Sequence, residues 1–405
     1  MTRTLDGVRV VDLTRMLAGP YATMLLADMG AEVIKVEDPG GDPIRGMGPP
    51  FEADGSSAYF SAINRNKKSV VLDLRTEGDR GRFFELVRTS DVVIDNFRAG
   101  VMERLGLTPV ALRAVKPELV TCSMTAFGGD GPYRDLPAFD LILQAMGGGM
   151  SITGEPGGAP ARAGIPIGDL GGGVFAALAV CAALVRRQRS GVGEHIDLSL
   201  LDVQVSLLTY VAQYFLTDGV VPQPIGSAHQ SAVPYQAFPT ADGHLVVAVF
   251  GDNFWAPFCG VLGVPELVAR YPTNVDRVRA RAELVPLLAE RLRTRTTDDW
   301  VRELWAAGVP SGPVNTVDRV LADVQVRHRG MVASDGVRTL VGNPIKNGEP
   351  DVFTPAPALG QQNAEVLGPL SPASAVPLPA RPQPASRRGP PAARPRPRSE
   401  LEGLS

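Results

Sequence analysis

Cysteine and histidine are scarce in this chain of 405 residues, which has three of the first and four of the second. Cys122, Cys181 and Cys259 lie far apart, a spacing that fits neither a disulfide framework nor a zinc site. The histidines form no H-x-x-x-H pair and no cluster with cysteine or aspartate, so we predict no metal site. We expect reduced thiols, as in a cytoplasmic protein.

Long hydrophobic runs and an excess of charge of one sign are also missing. The longest uninterrupted apolar run, 174–185, is too short to span a bilayer, and the first residues lack the apolar stretch of a secretory signal. A net charge of −3 gives no indication of nucleic-acid binding. We therefore expect a cytoplasmic protein with neither a membrane nor a nucleic acid as partner. Its length and its 44% apolar content allow two or more domains with sizeable cores.

The first 125 residues alternate strand patterns with helix patterns. The strand patterns lie at 8–13, 32–37, 69–74, 91–97 and 118–124, and the helix patterns at 20–30, 76–90 and in two short segments ending at Val115. This alternation predicts an α/β fold with a parallel sheet covered by helices on both faces. The segment after the first strand, TRMLAGP, lacks the G-x-G-x-x-G motif, which argues against a nicotinamide-dependent dehydrogenase.

Basic residues follow or precede several predicted strands. They are Arg15, Arg65, Lys67, Lys68, Arg98 and Arg104. Ligands of open parallel sheets bind beyond the carboxyl ends of the strands, and guanidinium groups bind phosphate bidentately, so the cluster suits a phosphorylated ligand. For each residue taken singly, a solvated surface cation is an equally good interpretation.

The segment GIPIGDLGGG at 164–173 places Asp169 just before three glycines and a long apolar run. Aspartate is a preferred helix N-cap, so the local pattern favours a capping role. Three glycines, however, weaken the helix, and they would let a ligand approach backbone N–H groups that attract an anion or a developing oxyanion. The local sequence leaves both interpretations open.

Longer motifs carry a resemblance to a known family. They include NRNKKSVVLDLRTEGDR, DVVIDNFRAGVMERLGL, GIPIGDLGGGVFAALAV, GEHIDLSLLD and AAGVPSGPVNTVDRVLAD. Together they resemble the class III CoA-transferase family over roughly residues 5–368, a family that includes formyl-CoA transferase and α-methylacyl-CoA racemase. The resemblance implies a Rossmann-like large domain plus a smaller α/β domain, two chains interlocked as a homodimer, and transfer of CoA from an acyl-CoA to a carboxylic acid.

The resemblance also implies site residues. It gives Asp169 the role of nucleophile, and we expect a carboxylate at a helix start to stay ionised at neutral pH. The scheme uses no permanently bound cofactor and no metal. We place oxyanion or loop roles at Gly171, Gly172 and Gly251. The CoA contacts fall on Leu72, Arg75, Asn96, Phe97, Arg98, Arg104 and Phe139.

The chain departs from the family at three positions. Phe139 stands where the racemase branch has a proton-transferring histidine, which argues against racemase activity. VAVFGDNFWAPF replaces the glycine-rich lid of formyl-CoA transferase, and Asp38 replaces an adenine-contacting arginine. A substrate-loop role for His229 stays open. A 2-methylacyl-CoA racemase and a non-catalytic CoA-binding subunit are the alternatives. The resemblance favours succinyl-CoA or a similar short acyl-CoA as the donor and a carboxylic acid as the acceptor.

The domain layout follows from the motifs and the composition. We expect the large domain at 1–200, a linker at 201–225, the small domain at 226–325 and a return to the large domain at 326–368. Residues 371–405 are rich in Pro, Ala and Arg without apolar periodicity, so we expect a disordered tail there.

Overall fold

A computed structural model describes residues 3–348 and 350–370 of the chain. Its largest sheet has six parallel strands in the order β3-β2-β1-β4-β5-β6. The strands are β1 (Arg9–Asp12), β2 (Glu32–Glu37), β3 (Lys67–Val71), β4 (Val92–Asp95), β5 (Val120–Thr125) and β6 (His195–Ser199). This is the doubly wound order, in which β2 and β3 are added on one side of β1 and β4, β5 and β6 on the other. The order of strand addition therefore reverses between β1 and β4. The predicted parallel sheet is confirmed.

Helices cover both faces of this sheet. They are α1 (Ala18–Asp28), α2 (Ala58–Asn64), α3 (Glu77–Arg88), α4 (Val101–Leu105), α5 (Pro109–Val115), α6 (Asp140–Met146), α7 (Ile167–Ser190), α8 (Leu200–Leu207) and α9 (Thr209–Asp218). On one face, Val10 and Ile94 of the sheet pack with Leu26 of α1 and Val180 of α7. On the other face, the sheet packs against α3 and α5. Strands β1, β2, β4 and β5 are largely buried, which explains their β-branched sequences.

A second group of elements follows α9. Three antiparallel strands, β7 (Tyr235–Pro239), β8 (His244–Ala248) and β9 (Ser311–Pro313), form a sheet in that order. Five helices lie between β8 and β9: α10 (Trp255–Leu262), α11 (Glu266–Arg270), α12 (Asn274–Arg279), α13 (Arg281–Leu292) and α14 (Thr297–Ala306). Trp255, Phe258 and Trp300 are buried in their common core. The predicted combination of a large parallel sheet with a smaller α/β unit agrees with this arrangement.

The C-terminal segment returns to the large sheet. It contains α15 (Val317–Ala322), α16 (Val324–His328), the hairpin of β10 (Val332–Ser334) and β11 (Thr339–Val341), and α17 (Asn363–Leu367). Two side chains at the start of α17 satisfy backbone N–H groups of the edge strand β3. Gln362 Oε1 accepts from Ser69 N at 2.8 Å, and Asn363 Oδ1 accepts from Val71 N at 2.8 Å. The predicted tail at 371–405 lies outside the described residues.

Sequence reasoning missed several elements, and each has a physical reason. Strand β6 is partly exposed and its sequence, HIDLS, is short and polar. Helix α2 has only seven residues. The span predicted as a linker contains most of α8 and all of α9, in which Val203 is buried and Val205, Leu207, Tyr210 and Leu216 are exposed.

Helix α7 is longer than the apolar run that marks it. Its 24 residues are long and apolar enough to span a membrane by length and composition, and 44% of its most apolar window is buried inside the fold. It packs between α1 and the pair α6 and α8, a position in which a core helix has the same length and composition.

Candidate active site

The predicted nucleophile and the predicted CoA contacts line one cavity at the carboxyl ends of the strands. The cavity has a volume of about 860 Å³ and lies at the reversal of strand order, where the segments after β1 and β4 diverge. Its wall includes Asp169 together with all seven residues predicted to contact CoA: Leu72, Arg75, Asn96, Phe97, Arg98, Arg104 and Phe139. The cavity therefore joins the proposed nucleophile to a basic rim within one space.

Asp169 stands in the first turn of α7 without capping it. The helix begins at Ile167, its N-cap residue is Pro166, and no side chain of that residue bonds to the backbone. The first bond within the helix runs from Leu170 N to Pro166 O, at 3.0 Å. Asp169 is thus the third helical residue, and its carboxylate accepts no hydrogen bond from the described residues. The capping role favoured by the local sequence is wrong.

The environment of Asp169 disfavours its charge. Burial raises the pKa of this carboxyl from 3.8 to about 7, and the negative charge of Asp140 adds to the shift. On neighbouring α2, burial and then the charge of Asp169 raise the pKa of Tyr59. Burial thus opposes the ionisation that a helix start favours, and the expectation that Asp169 is ionised at neutral pH stays a prediction.

The carboxylate of Asp140 supplies the missing cap from outside the helix. Asp140 Oδ1 accepts from Gly168 N at 2.9 Å and from Asp169 N at 3.1 Å, while Oδ2 accepts from Gln144 Nε2 at 2.5 Å. Sequence reasoning missed this residue, because the two contacts join positions 28 and 29 residues apart. The one signal in the sequence was that Asp140 directly follows Phe139, a predicted CoA contact.

The glycines of the IGDLGGG segment serve close packing. A Cβ at Gly171 would lie 3.2 Å from Val203 Cγ1, and one at Gly173 would lie 2.9 Å from Ala18 O. Gly171 and Gly172 follow the last free N–H group of the helix, so their N–H groups bond within it. Gly171 and Gly172 thus pack against α8 and Gly173 against α1, and the oxyanion role of Gly171 and Gly172 stays a prediction.

Gly251 begins a short 3-10 turn between β8 and α10, and it is not among the residues that line the cavity. Its loop role stays a prediction. His229 lies in an aromatic cluster in the same region, with its ring 5.9 Å from Tyr210 and 5.2 Å from Tyr235. His229 is not on the cavity wall either, and its substrate role also stays open.

The outer part of the cavity carries exposed guanidinium groups. Arg98 and Arg104 are exposed and form no ion pair with the described residues, which leaves both available for an anion. Arg75 is bound to Asp73 through Nε at 2.7 Å, and Leu72 is buried beneath this loop. Phe139, which also lines the cavity, is 66% exposed.

Asn96 connects two loops of the cavity. Its Oδ1 accepts from Arg15 N at 2.8 Å, and its Nδ2 donates to Arg15 O at 2.7 Å. Arg15 in turn lies over the ring of Phe97 at 5.3 Å and bonds to Asp38 at 2.6 Å. The amide of Asn96 is therefore occupied by the backbone, and Asp38 finds its partner within the chain.

Three of the basic residues proposed for phosphate binding are occupied elsewhere. Lys67 is buried, donates to Asp12 at 3.1 Å, and has its pKa lowered to about 8, chiefly by burial. Arg65 pairs with Asp28 at 2.6 Å. Lys68 pairs with Glu32 at 2.6 Å and with Glu365 of α17 at 2.7 Å. The phosphate interpretation of Arg65, Lys67 and Lys68 is wrong, because these cations neutralise buried or half-buried carboxylates.

Metal-binding chemistry has no matching side chains in residues 3–348 and 350–370. No group of three or more His, Cys, Asp or Glu residues there has the arrangement of a metal site. Cys122, Cys181 and Cys259 are free thiols, and burial raises the pKa of each.

Comparisons with known proteins place this geometry among enzymes of one kind. The sequence model of CoA-transferase family III matches residues 5–363. The chain is 42% identical over 384 residues to the succinate–glutarate CoA-transferase of Agrobacterium fabrum, covering 90% of this chain and 95% of that protein. It is 40% identical over 379 residues to the succinyl-CoA:mesaconate CoA-transferase of Haloarcula marismortui, with coverages of 90% and 95%. A CAIB/BAIF family protein from Brucella suis has a similar structure, with a TM-score of 0.84, 39% identity, and coverage of 92% of this chain and all of that one.

Proposed function

The chain belongs to CoA-transferase family III, and on that premise we propose that it moves CoA from succinyl-CoA to a short dicarboxylic acid, with Asp169 as the nucleophile. The observation that carries the proposal is the shared cavity, whose wall holds Asp169 and the seven residues assigned to CoA. The two relatives described above support the substrates, since their names join succinate or succinyl-CoA with glutarate and mesaconate.

The proposed reaction consists of four acyl transfers. Asp169 attacks the thioester carbonyl of the donor, which forms a mixed anhydride and releases the CoA thiolate. The thiolate attacks the aspartyl carbonyl, which gives an aspartyl-CoA thioester and the free donor acid. The acceptor carboxylate then forms a second anhydride and again releases the thiolate, which attacks the acceptor acyl group and regenerates Asp169. Each step exchanges a carboxylate for a thiolate, so the scheme requires no resident cofactor.

The state of Asp169 suits this chemistry. A carboxylate with a pKa of about 7 is half ionised near neutral pH, and it is poorly hydrated because it is largely buried. A poorly hydrated carboxylate is a better nucleophile than one surrounded by water. Arg98 and Arg104 are assigned to the phosphate groups of CoA, since guanidinium groups bind phosphate strongly.

We also infer a homodimer, as the family implies. Exposed apolar side chains lie along one face of α7, where Val174, Leu178 and Val185 are 49%, 63% and 50% exposed. On α9, Tyr210 and Leu216 are 50% and 73% exposed. Exposed apolar side chains on two helices support an interaction surface, and a second copy of the chain is the partner we propose. The free thiols fit a reducing compartment, and we propose a cytoplasmic location.

The test is a matrix of acyl-CoA donors against carboxylic acids, with the product thioesters identified by mass. We expect succinyl-CoA with glutarate or mesaconate to give the new thioester and free succinate. Donor alone should add the mass of CoA to the peptide containing Asp169, and hydroxylamine should convert that group to a hydroxamate. Exchange of the α-proton of a 2-methylacyl-CoA in deuterated water without transfer would favour a racemase. Binding without transfer to any acceptor would favour a non-catalytic subunit.

A further inference from the structure

We propose that Asp140 is the positioning residue of the site: its carboxylate caps the first turn of α7 in place of Asp169, so that Asp169 keeps its own carboxylate free in the cavity. This inference rests on the proposed function, in which Asp169 is the nucleophile. It concerns a residue that contacts the backbone of the nucleophile and that neither the motifs nor the family resemblance singled out.

The first step of the argument is the number of free donors at the start of α7. Pro166 has no N–H group, so the free N–H groups are those of Ile167, Gly168 and Asp169. A free aspartate in the first turn of a helix tends to bind such groups with its own carboxylate. Asp140 Oδ1 accepts from two of the three, Gly168 N and Asp169 N, and so removes the partners that would otherwise attract the Asp169 side chain.

The second step is that the contact is built rather than incidental. Asp140 is 8% exposed, and its second oxygen accepts from Gln144 Nε2. Gln144 Oε1 in turn accepts from Ala163 N at 3.0 Å, which ties the segment before α7 to the same group. A Cβ at position 168 would lie 2.4 Å from Gln204 Nε2 and 2.9 Å from Asp140 Oδ1, so a larger residue there would displace both side chains. Gly168 thus leaves room for the Asp140 carboxylate beside the helix start.

The third step concerns charge. Asp140 places a negative charge beside Asp169, and that charge adds to burial in raising the pKa of Asp169. Tyr59 on α2 faces Asp169 as well, and it is a neutral phenol at the pH of the assay. The other charged groups on the cavity wall are Arg15, Glu37, Asp38, Asp73, Arg75, Arg98, Arg104, Arg134 and Asp135. Of the charges around it, that of Asp140 is the one that shifts the titration of Asp169.

Two substitutions separate the cap from the charge. Asp140→Asn keeps an oxygen that can accept from Gly168 N and removes the charge, whereas Asp140→Ala removes both. Asp242→Asn is a matched control, because Asp242 Oδ1 accepts from Thr297 N at 2.8 Å at the start of α14, and Asp242 is not on the cavity wall. All three variants keep the full chain and are assayed with succinyl-CoA and glutarate.

The readouts are the pH profile of kcat/KM and the fraction of enzyme that carries CoA on the peptide of Asp169. For Asp140→Asn we expect the acidic limb of the profile to move down by about one pH unit, because the carboxylate of Asp169 then ionises more easily. For Asp140→Ala we expect kcat to fall at least about tenfold with KM for the CoA substrate nearly unchanged, because Asp169 turns toward its own N–H groups. Asp242→Asn should move neither readout.

Wild-type kcat in Asp140→Ala, with CoA still added to Asp169, overturns the positioning role of Asp140 and leaves the proposed nucleophile intact. An acidic limb that stays in place in Asp140→Asn overturns the effect of the Asp140 charge. Should Asp140→Ala fail to fold, Asp140→Leu, which also removes the acceptor and the charge but fills the space, takes its place. Wild-type enzyme that transfers CoA without any adduct on Asp169 overturns the proposed nucleophile, and the role of Asp140 with it.

Discussion

Replacing Asp169 by Asn is the most informative perturbation of the site, because it separates three roles for this residue: a nucleophile, a buried group that titrates, and a helix cap. The amide has the shape of the carboxylate and cannot attack a thioester, so we expect transfer to fall by about three orders of magnitude or more. No adduct should form on the peptide of residue 169. The packing around residue 169 should persist, since its side chain accepts no hydrogen bond from the described residues.

The expected effect on stability has an unusual sign. The pKa of Asp169 is raised from 3.8 in the unfolded chain to about 7 in the fold, so ionisation is disfavoured by folding. The contribution of this group is fully present below pH of about 4 and is lost as the pH rises through about 7. Three pKa units correspond to at most about 4 kcal/mol, and we expect about 1–2 kcal/mol because the carboxylate reaches the cavity and its solvent. Asn does not titrate, so the variant should be more stable than the wild type at pH 8.

The assay is urea unfolding of both proteins at equal concentration, at pH 4.5 and pH 8. The gain in the free energy of unfolding should be large at pH 8 and small at pH 4.5. Asp242→Asn is the control of opposite sign, because hydrogen bonds from Thr297 lower the pKa of Asp242 and its contribution is lost as the pH falls. A capping role for Asp169 instead predicts a loss of about 1 kcal/mol at both pH values with transfer largely kept. That pattern, with deamidation excluded by mass, would refute the reasoning.

Four further outcomes follow from the same structure. Arg104→Ala should raise KM for CoA substrates at least about tenfold, because a charge-assisted contact is lost. Arg302→Ala, at an exposed side chain of α14, should leave KM unchanged, and equal KM values for the two variants would contradict the phosphate assignment. Sedimentation at nanomolar concentration should show the dimer, and a folded monomer would contradict it. The wild-type kcat/KM should fall below a pH of about 7 as Asp169 is protonated, and a flat profile from pH 5 to 8 would oppose this. Deleting residues 371–405 should leave activity and Tm nearly unchanged, because that composition contributes no core, and a Tm lowered by several degrees would show otherwise.

Local sequence was sufficient for most of the large sheet. The runs VRVVDL and EVIKVE alternate with helices whose starts and stops are marked by Pro and Gly, and these signals need no knowledge of distant residues. The sheet order also follows the usual topology, so the region beyond β1 and β4 could be selected before any coordinates were known. The seven proposed CoA contacts depended on motifs as well, because composition alone does not separate Arg98 from a solvated arginine.

Pairings between distant residues could not be read from the sequence. Lys67 and Arg65 have the residue types of phosphate ligands, and only the fold brings them to Asp12 and Asp28, 55 and 37 residues away in the chain. A cation at a strand end is equally suited to a phosphate or a buried carboxylate, and the carboxylate is present in every state of the protein. The sequence interpretation failed where an internal partner was available.

The glycines after Asp169 show how one pattern can serve two purposes. The local sequence predicts that these glycines expose backbone N–H groups to an anionic ligand or a developing oxyanion. In the fold, the anion at the helix start is the carboxylate of Asp140, for which Gly168 leaves room, and the following glycines let α1 and α8 approach α7. The physical inference about exposed N–H groups was therefore right in kind, and its ligand is a side chain of the same protein. Because the Asp140 side chain satisfies the helix, the Asp169 carboxylate accepts no hydrogen bond from residues 3–348 and 350–370 and is largely buried. Burial raises its pKa, and the free carboxylate suits attack on a thioester.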